Sequence, residues 1–163
     1  MRKVLRIVLV ILLSVFVGIQ FIRPAKNVSE EIGANDITAK YHIPDEVHQI
    51  LKVSCYDCHS NNTYYPWYWQ LQPVMWFMND HINEGKRHLN FSEFSSYAAR
   101  RRYKKLKEIS KEIKSGDMPL RSYTMIHRDA VLSPVQKIIV ENWINASLKE
   151  METTYPADSL KKK

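Results

Sequence analysis

Cys55 and Cys58 are the only cysteines of the chain, three positions apart, and His59 follows the second directly. Two thiols one helical turn apart can reach the two vinyl groups of haem and form thioethers. An imidazole on the next residue is then placed to ligate the iron from the proximal side. Three other chemistries use such a pair. Zinc would take Cys55, Cys58, His81 and His88, but these histidines are seven apart, outside the usual gap of about three to five. A thioredoxin-like redox pair needs a βαβ context, and this sequence offers helices. A disulfide between the two closes a very small loop and stabilises little. Only haem attachment requires a histidine immediately after the second cysteine.

Iron held by one histidine takes a second axial group or stays open to a small ligand. Met118 lies in SGDMPLRSY, between the long helical signal and the last one. Pro119 stiffens the backbone there, and a rigid loop can hold a thioether at a fixed distance from iron, which favours the reduced state. His59 and Met118 are therefore the expected metal ligands. His81, His88 and His127 are rivals for the second position, and an open site is the other alternative. The aromatic run after the motif, with Tyr65, Pro66 and Trp67, is expected to wall the porphyrin, although it also suits ordinary core.

Helices must carry these groups. In IPDEVHQILKVSC, Val47, Ile50 and Leu51 share a face that leads up to Cys55, and Asp45 and Glu46 suit the positive end of the dipole. Pro73 is expected to start a helix holding Trp76, Phe77 and Ile82. The longest helical signal runs through Phe94, Ala98, Leu106, Ile109 and Ile113, and Gly116 stops it. Ser133 and Pro134 begin a final helix, with Val135, Ile138, Ile139, Trp143 and Ala146 on its apolar face. Only four glycines and seven prolines leave little room for a turn-rich β-sandwich.

The 163 residues suffice for one domain with one modest core. Net charge is +7, with local clusters at Arg100–Arg102, Lys104–Lys105 and Lys161–Lys163 that read as solvated surface. No nucleic-acid motif accompanies them, so nucleic acid is not an expected partner. At the amino terminus Arg2, Lys3 and Arg6 precede an apolar run that ends at Arg23–Pro24. Val4 to Ile22 would span roughly 28 Å as a helix, close to a bilayer core. The run lacks an A-x-A-like cleavage site and reads as an uncleaved anchor with the rest exported; a cleaved signal is the alternative.

The sequence resembles the bacterial haem-binding domain family, small c-type cytochromes that pair a membrane anchor with one C-x-x-C-H. The matching stretches are CYDCHSNNTYYPWY, QPV, EGKRHLNFSEF, SGDMPL, SYTMIHRDAVLS and the tryptophan of VENWINA, over roughly Ile37 to Ala146. The resemblance implies one covalent haem c per chain at Cys55 and Cys58, with His59 proximal. The element order is similar to class I cytochromes c, whose distal methionine maps onto Met118. Tyr123, inside SYTMIHRDAVLS, joins the expected cofactor contacts. The stretch between the motif and Met118 departs from that pattern in being long and aromatic.

The expected fold is all-α, a cytochrome c-like helical domain around one covalently bound haem, preceded by an N-terminal transmembrane helix. Its expected parts are residues 1–24 as anchor, 25–40 as tether, 41–150 as haem domain and 151–163 as polar tail. The expected function is that of an exported mono-haem cytochrome passing single electrons to a redox partner protein, a carrier rather than a catalyst. It would sit on the inner membrane with the haem domain on the periplasmic side. The alternative is a c-haem peroxidase, or a gas or redox sensor with an open or displaceable sixth iron site. A non-haem module with a structural metal is a third.

Overall fold

The computed structural model describes residues 1–29 and 32–160; the Lys161–Lys163 cluster lies outside them. The described residues are helical and contain no strand, as the apolar periods at three and four residues require. Helix α1 is Arg2–Ile19, α2 Asp45–Ser54, α3 Tyr56–His59, α4 Val74–His88, α5 Ala99–Ser115, α6 Arg121–Thr124, α7 Pro134–Thr154 and α8 Ala157–Leu160. Short 3-10 turns lie at Ile37–Ala39, Trp67–Gln70, Phe91–Ser96 and Arg128–Ala130.

The ends follow local chemistry. α2 carries Asp45 and Glu46 in its first turn, against the positive end of its dipole. α7 opens with a complete capping box: Ser133 Oγ accepts from Gln136 N, and Gln136 Oε1 accepts from Ser133 N. α5 stops at Gly116, whose φ of 80° is left-handed. Past that cap, the amides of Gly116, Asp117 and Met118 all donate to the carbonyl of Glu112, which turns the chain sharply and delivers Met118. The longest signal in the sequence is divided in the structure. Phe91–Ser96 forms a 3-10 turn, Tyr97 and Ala98 are extended, and the α-helix begins at Ala99.

α5, α7 and α2 pack around the main core, and α8 closes over α5. Phe91, Phe94, Leu51, Leu106, Val140 and Ile144 are all but fully buried there. Each such side chain stabilises the fold by about 1.5–3 kcal/mol relative to exposure. The buried residues of α7 are Val140, Trp143, Ile144, Ser147 and Met151, while Val135, Ile138 and Ala146 of the expected face are exposed. The inward stripe is therefore rotated from the expected one. The stretch from Met151 stays attached: Met151 is buried beneath the Tyr41 hydroxyl, and Leu160 is buried too. Arg102, from the arginine cluster, is also buried and donates to the Tyr155 hydroxyl at 2.9 Å.

The expected transmembrane helix is corrected: among the described residues no helix is long and apolar enough to cross a membrane. α1 has 18 residues, and Arg2, Lys3 and Arg6 fall within it. The uncharged part, Ile7 to Ile19, is about 20 Å long, against a hydrocarbon core of about 30 Å. The helix stops at Ile19, and the chain then fastens to the domain. Gln72 N donates to Gln20 Oε1 at 2.9 Å, and the carbonyl of Ile22 accepts from Gln72 Nε2 at 2.6 Å and Trp76 Nε1 at 3.1 Å.

The segment expected as a tether is also held at points. Asn27 hydrogen-bonds to Ser60, Thr63, Tyr65 and Lys86, and Ile37 is fully buried.

Candidate functional site

The site starts at the junction of two helices. α2 ends at Ser54, Cys55 takes a non-helical conformation, and α3 carries Tyr56–His59 as a single turn. The amides of Cys58 and His59 both donate to the carbonyl of Cys55, at 3.3 and 3.0 Å. This tight turn puts both thiols and the imidazole on the wall of one cavity of about 950 Å³, at the upper end of the size range of ligand pockets. Both cysteines are free thiols. Burial, and Cys58 as neighbour, pushes the Cys55 thiol up to about 12; burial, and Asp57, pushes Cys58 to about 11.

His59 is held by α4. Its Nδ1 lies 3.0 Å from the carbonyl oxygen of Gly85 and 3.0 Å from that of Leu89. Carbonyls only accept, so Nδ1 carries the hydrogen and Nε2 of the neutral ring keeps its lone pair. Burial lowers the imidazole pKa, countered by the two carbonyls and reinforced by His88 and Lys105, so the neutral, metal-binding form is favoured.

Met118, Pro119 and Leu120 of the loop after α5, and Tyr123 of α6, line the same cavity. Tyr123 donates its hydroxyl hydrogen to Asp57 Oδ2 at 2.8 Å, which ties α6 to a residue between the cysteines. Burial raises the phenol above its usual range, and the Asp57 charge adds to it. Leu89, Phe91, Ile109, Ile113 and Leu132 supply apolar wall, and Lys104, Lys105 and Glu108 of α5 supply a charged rim. Lys105 and Glu108 are paired at 2.6 Å.

The structure thus gathers Cys55, Cys58, His59, Met118 and Tyr123 around one space. Tyr65, Pro66 and Trp67 lie outside its wall. The Tyr65 hydroxyl instead accepts from Asn27 N at 2.6 Å, and Trp67 is 77% exposed. The chain turns away after the motif at Ser60–Thr63, where Ser60 is bonded to Asn62 and Thr63 Oγ1 donates to the carbonyl of Asp57. Of the rival histidines, His81 and His88 line the cavity. His127 does not; it stacks on Tyr123 at 4.2 Å between ring centres and contacts the Tyr68 hydroxyl at 2.5 Å. Among the described residues no group of three or more His, Cys, Asp or Glu could hold a metal ion, so the zinc set of Cys55, Cys58, His81 and His88 is not assembled.

Sequence reasoning passed over Gly85 and Asp57. A β-carbon on Gly85 would lie 2.5 Å from the carbonyl oxygen of Cys58. A glycine well inside a helical run costs about 0.5–1 kcal/mol relative to alanine, and that was the available signal.

The donors suit haem: two thiols a turn apart, an imidazole presenting Nε2, a thioether on another loop, and apolar walls between them. An all-α fold with such a site defines a small helical haem-binding protein. The sequence model of the haem-binding domain family matches residues 14–146, most of the chain. The protein belongs to that family and binds haem. No curated protein and no solved structure matches the chain.

Proposed function

We propose that the protein is a mono-haem c-type cytochrome, with haem joined through thioethers to Cys55 and Cys58, and that it passes single electrons to a redox partner. The observation that carries this reading is that Cys55, Cys58, His59 and Met118, separated by up to sixty-three positions in sequence, line one cavity. Bound haem supplies the Fe(II)/Fe(III) couple. The residues supply the rest. Cys55 and Cys58 would hold the porphyrin through their sulfurs, and His59 Nε2 and the Met118 sulfur would ligate the iron. Leu89, Phe91, Ile113 and Leu132 would exclude water from the macrocycle, which would tune the potential. Covalent attachment of this kind suits a domain outside the cytoplasm, where an unprotected cysteine pair would otherwise oxidise.

The test is protein matured in a host with haem-attachment machinery. Its intact mass should exceed the polypeptide by one haem, and the pigment should resist acid-acetone extraction and cycle reversibly between redox states. A polypeptide of bare mass with both thiols open to alkylation would overturn the assignment.

His81 and His88 on the cavity wall favour one second reading, in which the distal position is displaceable and the protein senses or reacts with a small ligand. Rapid stoichiometric binding of carbon monoxide by the ferrous protein would mark that class, and a six-coordinate spectrum unchanged by carbon monoxide would mark the electron carrier.

A further inference from the structure

We propose that Gly85 is the positioning residue for the proximal ligand: its missing side chain lets α4 close on the cysteine turn until the carbonyl of Gly85 and that of Leu89, just past the helix, hold His59 Nδ1–H. This rests on the reading of His59 as the iron ligand and assigns what orients and polarises it.

A β-carbon built on Gly85 meets three atoms of Cys58: the carbonyl oxygen at 2.5 Å, the carbonyl carbon at 3.1 Å and Cβ at 3.2 Å. Two of these are backbone atoms, so no rotamer change relieves the clash, and a whole helix would have to move. Small residues permit such close backbone approach elsewhere in proteins for the same reason. By contrast, a β-carbon on Gly18 of α1 meets nothing within 4 Å.

The close approach has a chemical consequence. Gly85 begins the last four residues of α4, whose carbonyls form the negative end of the helix dipole. The Gly85 carbonyl already accepts from Leu89 N at 2.8 Å, and its second lone pair faces His59 at 3.0 Å. The Leu89 carbonyl, one position past the helix, approaches the same nitrogen at 3.0 Å. Two acceptors on one N–H fix the tautomer and the ring plane, and they raise the basicity of the opposite nitrogen. A more basic imidazole ligand would stabilise the oxidised iron, so this contact would lower the reduction potential of bound haem. An alanine at position 85 would push α4 off Cys58 and lengthen both hydrogen bonds together.

The test compares haem-loaded wild type, Gly85→Ala and, as a control with open space, Gly18→Ala. Two quantities are read at matched haem content: the reduction potential, and the exchange rate of the His59 Nδ1 hydrogen in the ferrous protein by nuclear magnetic resonance. Gly85→Ala is expected to shift the potential upward and to speed exchange at least ten-fold, while Gly18→Ala matches wild type. An unchanged potential and exchange rate in Gly85→Ala would overturn the proposal. Should Gly85→Ala fail to accumulate, the wild-type ¹⁵N spectrum decides: Nδ1 bearing a slowly exchanging hydrogen is expected, and a bare Nδ1 overturns it. Failure of the haem assignment shows separately, as a bare polypeptide mass; the His59 ring spectrum of that haem-free protein would still report on Gly85 and Leu89.

Discussion

Tyr123 reaches from α6, just after Met118, to Asp57, between the two cysteines, and donates its hydroxyl hydrogen across 2.8 Å. The second oxygen of Asp57 accepts from Tyr64 N at 2.9 Å, so one carboxylate joins the cysteine turn, the segment that follows it and the methionine loop.

Tyr123→Phe removes that hydrogen bond and leaves the ring in place. The site is half-buried, so the expected loss is about 1 kcal/mol, seen as a lower urea midpoint with unchanged slope. The sign with pH follows from the raised phenol. Folding holds Tyr123 protonated above the pH at which the unfolded chain ionises, so its contribution is complete below pH of about 10 and is lost as pH rises beyond that. Wild-type stability should therefore fall more steeply above that pH than that of Tyr123→Phe. Parallel curves would show that this phenol does not titrate differently in the two states.

Cys55→Ala combined with Cys58→Ala should abolish acid-resistant haem and return the mass to that of the polypeptide. In haem-free wild type the two thiols should alkylate slowly at pH 8. Raised thiol pKa values near 12 and 11 leave the thiolate at Cys55 roughly a thousand-fold scarcer than in the unfolded chain, and at Cys58 roughly a hundred-fold. Adding urea should restore fast alkylation, and equal rates with and without urea would contradict the burial described for these groups.

Met118→Ala should remove the weak far-red band of thioether-bound ferric haem, lower the reduction potential and open the ferrous protein to carbon monoxide. Survival of the band would exclude Met118 as the distal ligand and direct attention to His81 and His88, which share the cavity wall.

Asn27→Ala should destabilise the protein by about 2 kcal/mol in thermal or urea unfolding. The side chain donates to the Ser60 carbonyl at 2.8 Å and to Thr63 Oγ1 at 2.9 Å, and it accepts from Lys86 Nζ. An unchanged midpoint would mean that the segment before the domain contributes nothing to it.

Much of the site was legible in the sequence because its chemistry is local. A C-x-x-C-H run needs only one tight turn to face its three side chains one way. Ser133 with Gln136, and Gly116 at the end of α5, act within a few residues of themselves. The apolar terminus misled for a related reason: hydropathy counts Phe21 and Ile22 with the helix, but the helix ends at Ile19, and Gln72 and Trp76 donate to the Ile22 carbonyl. The aromatic run beside the motif likewise follows the turn at Ser60–Thr63 away from the cavity wall.

From the residues alone came the C-x-x-C-H turn, the helical class and Met118 as a candidate donor, since residue type and short spacing encode each of these. Folding alone decided that α4 lies against the cysteine turn, that Gly85 and Leu89 hold His59, and that Asp57 meets Tyr123. Those contacts join positions far apart in the chain, and their free energy depends on backbone distances that no local pattern specifies.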